Sequence, residues 1–233
     1  MSAVFKRELK AYFSTPIGYI ILAAYYFFLG FYFWLVYGMG SPDVANIVLA
    51  MSGISVFAVP VITMRILSED RRQKVDQVLL TAPVKLSGIV FGKFFAALVL
   101  YAIGFAPTVI FEIIVACYVK VNVLVFVYAL LGSMLLGGSL ISIGMFISSL
   151  TENSVISAII TLIVNLLVLN MSGFVSMIKV EWISAIIEKA SFITAADQFS
   201  EQVFSIPNIV YFISIIAAFI FLTVRSLEKR RWA

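Results

Sequence analysis

The side chains that carry most protein chemistry are scarce in this sequence. The chain has no histidine, which is the usual general base near neutral pH and the commonest metal ligand. Its single cysteine, Cys117, lies within an apolar run, so an intrachain disulfide is impossible and a thiol-ligated metal site is not expected. The acids Glu69, Asp70 and Asp76 lie among basic residues, as they would in a solvated loop. We therefore predict no catalytic residue and no metal site.

One glycine-containing segment, residues 88–94, has a partial likeness to a phosphate-binding P-loop. Its spacing is one residue too short, and Phe94 stands where a Ser or Thr would hold magnesium. The segment also opens a long apolar run rather than following a strand. We therefore expect no cofactor in this chain, and any ATP and Mg would have to be held by another protein.

Three polar residues fall within apolar runs, and each has two interpretations. Glu112 is a functional candidate because an ionisable group at membrane depth is costly, but near the outer end of its run it could simply reach the headgroups. Asn165 and Asn170 could line a translocation path or form hydrogen bonds between helices. We favour headgroup contact for Glu112 and interhelical hydrogen bonds for the two asparagines, and we retain all three as candidates for the path.

The composition predicts an all-helical integral membrane protein. Hydrophobic residues make up 63% of the chain and charged residues only 12%, whereas soluble domains are roughly half apolar. An apolar run of about 20 residues spans a bilayer core of about 30 Å. No polar linker divides the chain, so residues 1–233 are predicted to form one transmembrane domain. The six predicted spans are about 17–37, 44–66, 88–117, 123–150, 155–175 and 207–224.

Two further segments are predicted to be amphipathic. Residues 2–15 form a helix for the membrane interface, ended by Pro16. Its apolar face carries Phe5, Leu9, Tyr12 and Phe13, and its basic face carries Lys6, Arg7 and Lys10. Residues 176–206 hold too many charges for a span, so external amphipathic helices are expected before the last span.

The basic residues predict the orientation. The predicted topology puts thirteen of them on one side of the membrane and only Lys120, Lys179 and Lys189 on the other. The positive-inside rule then places both termini in the cytoplasm, and we expect the bacterial inner membrane. Because these residues flank spans, they indicate membrane topology rather than nucleic-acid binding.

The loop between the second and third spans is the most informative segment. It contains a charged exit from the membrane, a short amphipathic helix stopped by Pro83, and a re-entry. A plain turn between spans needs only about 2 to 8 residues. The loop is therefore interpreted as a helix that lies along the membrane and presents one face to a partner, and a well-capped basic turn is the alternative.

This loop resembles that of the ABC-2 type transporter permeases, most closely their gliding-motility branch. The resemblance lies in Pro60–Arg65, Ser68–Glu69, Leu79–Val84 and Ile89–Lys93, in the amino-terminal segment Phe5–Tyr19, and in the predicted topology of the whole chain. It implies a cytoplasmic coupling helix that sits in a groove of a separate ATPase subunit, with the amino-terminal helix beside it. The residues so implicated are Glu69, Arg71, Lys74, Val75, Asp76, Gln77, Val78, Leu79, Leu80, Thr81 and Pro83.

The resemblance further implies a transporter made of two permeases and two ABC ATPase subunits, working as an exporter. One departure stands out: Lys74, Val75 and Gln77 replace the usual Gly, Thr and Glu of the family. The polar contacts of the coupling helix are therefore expected to differ. Three rival interpretations stay open at this stage, namely a channel or secondary transporter, an integral membrane enzyme, and a non-transporting scaffold of a motility or secretion complex.

Overall fold

The computed structural model describes residues 2–38, 44–72, 85–171, 173, 192, 195 and 206–231. These residues form helices and short connections, with no strand among them. The predicted helical class is confirmed. The helices are α1 Ser2–Ser14, α2 Pro16–Gly38, α3 Val44–Thr63, α4 Ser68–Arg72, α5 Leu86–Ala116, α6 Val123–Leu150, α7 Ser154–Leu169 and α8 Ile206–Arg231.

Five of these helices are long and apolar enough to cross a membrane. They are α2, α3 with its continuation into α4, α5, α6 and α8. The helix α7 is apolar but has only 16 residues, or roughly 24 Å at 1.5 Å per residue. The chain is therefore a multi-pass membrane protein, and the count of six spans stays a prediction.

Asparagine side chains begin two of the helices. Asn122 precedes α6 and accepts a hydrogen bond from Leu124 N at 3.2 Å. Asn153 precedes α7 and accepts from Val155 N at 2.9 Å. Each amide oxygen satisfies a backbone N–H that has no partner within its own helix. These are the two brief polar breaks at which the sequence predicted a change of span.

Helix α6 lies at the centre of the bundle. It packs against α3, α5, α7 and α8. Close approach depends on its small residues, since a Cβ at Gly137 would lie 2.2 Å from Cε1 of the buried Tyr101. The outer helix α2 instead exposes Phe27, Phe31 and Trp34. Large apolar side chains on the outer surface suit a protein whose solvent is lipid.

Two predicted elements lie outside the described residues. The coupling helix falls within 73–84, and nearly all of the external amphipathic segment falls within 174–205. The structure describes the helices that flank the predicted coupling helix: α4 ends at Arg72, and α5 begins at Leu86.

Candidate functional site

A buried ammonium group joins three elements at one end of the bundle. Nζ of Lys93 in α5 lies 3.0 Å from Oε1 of Glu8 in α1 and 2.7 Å from Oδ2 of Asp70 in α4. It also donates to the Ile66 carbonyl at 2.7 Å. The Lys93 side chain is 1% exposed. A buried ammonium must be paired and its protons bonded: the two carboxylates balance its charge, and it donates hydrogen bonds to Glu8 and to the Ile66 carbonyl.

Arg7 completes this ion-pair cluster, which consists of Arg7, Glu8, Asp70 and Lys93. Its Nη2 lies 2.6 Å from Oε1 of Glu8 and 3.7 Å from Oδ2 of Asp70. Partial burial lowers the pKa of Arg7, but the hydrogen bond to Glu8 and the charges of Glu8 and Asp70 outweigh it, so the pKa is raised. With two cations and two anions, the cluster is electrically balanced.

A tyrosine hydroxyl fastens the other end of α1. Tyr12 donates to the Ile62 carbonyl at 2.9 Å. Ile62 belongs to the last turn of α3, where carbonyls lack partners within the helix. Burial raises the pKa of Tyr12, with a smaller contribution from the charge of Glu8. The hydroxyl therefore stays protonated and able to donate.

A cleft of about 380 Å³ opens between α1 and the end of α3. Charged side chains of both signs line it, together with the tyrosine that joins the two helices. The ionisable lining residues are Arg7, Glu8, Tyr12, Arg65, Glu69 and Asp70. Such a cleft can receive polar side chains of either charge.

Ser148 of α6 connects the centre of the bundle to the start of α4. Its hydroxyl oxygen accepts from Leu67 N at 3.2 Å and from Ser68 N at 3.1 Å. The same hydroxyl donates to the Met64 carbonyl at 3.3 Å. One side chain thus satisfies three backbone groups of the bend between α3 and α4, which holds the bend against α6.

Two arginines bind the carboxyl end of α6. Arg71 donates from Nη1 to the Leu150 carbonyl at 3.2 Å, and its Nη2 lies 2.8 Å from Oε1 of Glu152. Arg230 of α8 donates to the Ser149 carbonyl. Positive charge is favourable at a helix carboxyl end, where carbonyls are left without partners. As a result, α4, α6 and the end of α8 meet at the same end of the bundle as α1.

The predicted coupling residues divide into two groups. Lys74, Val75, Asp76, Gln77, Val78, Leu79, Leu80, Thr81 and Pro83 lie outside the described residues. Glu69 and Arg71 are described, and each makes an ion pair: Glu69 lies 3.1 Å from Arg65, and Arg71 pairs with Glu152. Both thus belong to the base from which the loop leaves the bundle.

The amino-terminal helix has the two faces that its sequence predicted. Its basic residues are exposed, and its apolar residues are half-buried against α2 and α5. The half-buried set is Phe5, Leu9, Tyr12 and Phe13, and the exposed set is Lys6, Arg7 and Lys10.

The three candidates for a translocation path differ in burial and in their hydrogen-bond partners. Glu112 is 7% exposed and has an interaction partner within the protein. Asn165 is fully buried, whereas Asn170 is exposed at the end of α7 and donates to the Leu166 carbonyl at 2.8 Å. The structure therefore does not bring the two asparagines onto one surface.

Sequence reasoning missed the residues that tie this end together. Lys93 counted as a topological charge and as the end of the Ile89–Lys93 part of the resemblance, without a partner, and neither Glu8 nor Ser148 was singled out. A lysine well inside a long apolar run carried a signal, because such a residue needs a carboxylate partner. Nothing local to the sequence indicated which carboxylates would supply it.

Among the described residues, no group of three His, Cys, Asp or Glu side chains could hold a metal ion. The arrangement fastens an amphipathic helix and the base of a polar loop to the ends of the membrane-crossing helices.

These features define a class, namely a multi-pass membrane protein whose amphipathic amino-terminal helix is fastened to the polar end of the bundle. The family can also be stated. A family model described as ABC-2 type transporter matches residues 1–196. The chain belongs to the ABC-2 type transporter family, whose members are membrane permease domains that are generally non-catalytic and generally work with an ATPase partner. Comparison with curated proteins gave no significant match.

Proposed function

We propose that this chain is the permease subunit of an ATP-driven exporter, in which a separate ABC ATPase pair drives two permease chains. ATP and Mg are held by the ATPase subunits, and the permease itself performs no chemistry. The second permease is another copy of this chain or a related one, and the complex lies in the bacterial inner membrane with both permease termini in the cytoplasm.

The ion-pair cluster is the observation that carries this proposal. Residues 73–84 connect α4 to α5 in the sequence, and Lys93 of α5 pairs with Asp70 of α4 at 2.7 Å. The same ammonium pairs with Glu8, so α1 is held to both roots of the loop. Because these ion pairs join α1, α4 and α5, a force applied to the loop is transmitted to the membrane helices instead of only bending the ends of the loop.

A further contact extends this set of ion pairs towards the centre of the bundle. Arg71, one residue before the end of α4, is bonded to the Leu150 carbonyl and paired with Glu152. Movement of the loop therefore acts on α6 and on the start of α7 as well as on α5. We infer that this is how ATP-driven closure of the ATPase pair reaches the helices that open and close the route.

Copurification tests the proposal. The tagged full-length permease is purified in mild detergent with the ATPase encoded nearby, and bound ATPase and its ATP turnover are measured for the wild type, Leu79→Asp and Leu80→Asp. Val119→Asp is the matched control, since this exposed residue lies in the turn at the opposite end of the bundle. We expect the two loop variants to release or uncouple the ATPase and the control to retain it. A wild-type permease that binds no ATPase would contradict the proposal.

A further inference from the structure

One face of α7 is both polar and buried. Ser157, Thr161 and Asn165 follow one another at intervals of four residues, and each is 0% exposed. We call these three side chains the polar seam. Together with Leu169 they are the buried residues of α7, whereas Ile159 and Ile163 on other faces are exposed. The most deeply buried side chains of the helix are therefore mostly polar, although Leu162, Val164 and Val168 also pack against the core.

Among the described residues, the seam side chains make no hydrogen bond. In the part of the chain that the structure describes, Oγ of Ser157, Oγ1 of Thr161 and both amide atoms of Asn165 are buried without a partner. Unpaired buried polar groups are rare in native proteins because each raises the free energy of the state that contains it. Lipid cannot supply the missing bonds. The packed position of α7 thus leaves these groups in an unfavourable environment.

Close packing brings three helices together at the seam. A Cβ at Gly144 of α6 would lie 2.4 Å from Oγ1 of Thr63 in α3 and 2.9 Å from Cγ2 of Thr161. Among the described residues, the seam side chains add no hydrogen bond between α7 and these neighbouring helices. The bend before α4 differs, because Ser148 binds it to α6 through hydrogen bonds to Leu67 and Ser68. Of the two, α7 is the easier to displace.

The loop base reaches the start of α7. Arg71 binds the Leu150 carbonyl and pairs with Glu152, which lies two residues before α7 begins at Ser154. Asn165, the last residue of the seam, lies roughly 16 Å along the helix from Ser154 at 1.5 Å per residue. That distance is about half of a bilayer core of about 30 Å. A displacement of α7 about its first turn would thus open a polar cleft from the loop end to the middle of the membrane.

We propose that α7 moves away from α3 and α6 during transport and opens the polar seam, and that the open cleft takes a neutral hydrogen-bonding group of the transported molecule, such as a hydroxyl or an amide. Water or that group then supplies the bonds that the packed seam lacks. A charged group is disfavoured because α3, α6 and α7 contain no charged residue to balance it. This inference rests on the proposed function, since the loop base is what would move α7.

Cysteine accessibility tests the opening. In a Cys117→Ser background, Ser157→Cys and Thr161→Cys are compared with Ser139→Cys, a fully buried serine whose hydroxyl is bonded within α6. Full-length proteins are placed in nanodiscs with the copurified ATPase, with and without ATP. Each is treated with neutral hydroxyethyl, anionic sulfonatoethyl or cationic trimethylammonioethyl methanethiosulfonate. Two seam positions are used so that a folding defect in one variant leaves the test intact.

We expect the neutral reagent with ATP to modify both seam cysteines about tenfold faster than Ser139→Cys, because only the seam is exposed in a minor open state. Uniformly slow modification of all three cysteines in every condition would overturn the opening. Equal rates with neutral and charged reagents would overturn the preference for a neutral group. Bound ATPase is measured on the same samples, so failure of the seam to open is distinguished from failure of the permease to bind its ATPase.

Discussion

Nζ of Lys93 in α5 lies 2.7 Å from Oδ2 of Asp70 in α4, the helix that precedes the polar loop, and the Lys93 side chain is 1% exposed. The contact is an ion pair rather than a conventional hydrogen bond, since Oδ2 of Asp70 has no hydrogen-bond donor among the described residues. Glu8 shares the same ammonium from the amino-terminal helix. These three residues join α4 and α5, the helices that flank the loop, to α1.

Removal of the ammonium should destabilise the ion-pair cluster. Lys93→Met keeps much of the side-chain volume but leaves Glu8 and Asp70 without their buried counter-charge. Breaking a buried pair from one side costs about 3 to 5 kcal/mol, so a clear fall in the melting temperature of the detergent-solubilised protein is expected. Lys85→Met is the matched control, because Lys85 is exposed at the start of α5. Equal melting temperatures for the two variants would contradict a structural role for the cluster.

Loss of the Tyr12 hydroxyl should loosen α1 by a smaller amount. Tyr12→Phe removes the donor to the Ile62 carbonyl, at a cost of about 1 kcal/mol. Because burial raises the pKa of Tyr12, this contribution is complete below the unfolded tyrosine pKa of about 10 and is lost only as the pH rises through the higher folded value. The difference in melting temperature from wild type should therefore be the same at about pH 7 and about pH 9.

The control for this variant is Tyr19→Phe, whose side chain is exposed. A Tyr12→Phe difference that disappears by about pH 9 would show that the wild-type hydroxyl has already ionised, against the raised pKa.

The joint between α1 and α2 should not tolerate a side chain. A Cβ at Gly18 would lie 2.3 Å from the backbone oxygen of Tyr12, and backbone cannot move aside as a side chain can. We expect Gly18→Ala to cost about 1 to 3 kcal/mol or more and to lower the melting temperature. Gly30→Ala in the same helix has open space around its Cβ and should be neutral or stabilising. Equal behaviour of the two alanine variants would refute the close packing of this joint.

The single cysteine offers a direct test of orientation. Cys117 is exposed just beyond the end of α5, at the opposite end of that helix from Lys93. A membrane-impermeant maleimide should label Cys117 in intact cells. In a Cys117→Ser background, Lys10→Cys on the exposed face of α1 should label only after permeabilisation. The reverse pattern would place the ion-pair cluster outside the cell and would be incompatible with ATPase binding there.

Much of the helical layout could be predicted because it depends on local composition. Apolar runs and their polar breaks located α2, α3, α5 and α6 to within a few residues, and the two asparagine caps fell at predicted breaks. The start of α8 was predicted equally well, but the helix continues to Arg231, beyond the predicted end at 224. The faces of α1 followed from the helical period. Length alone was less informative for α7, since its 16 helical residues are fewer than the predicted span of 155–175.

The candidate site was only partly predictable because its bonds join distant parts of the chain. Glu8 and Lys93 are 85 residues apart, and Ser148 and Ser68 are 80 apart. No periodicity links such pairs. Asn165 and Asn170 look alike in sequence. Among the described residues, the Asn165 side chain is buried without a hydrogen-bond partner, whereas that of Asn170 is exposed and donates to the Leu166 carbonyl.

By itself, the sequence determined that this chain is helical, enters the membrane several times and carries an amphipathic amino-terminal helix, because each of these properties follows from hydrophobicity over one or two dozen neighbouring residues. Only the tertiary structure decided which polar groups find partners. A buried charge or amide is stabilised by atoms within about 3 Å, and helix packing alone brings them there. That packing gave Lys93 two carboxylates and a carbonyl, and left the polar face of α7 without any side-chain partner in the described structure.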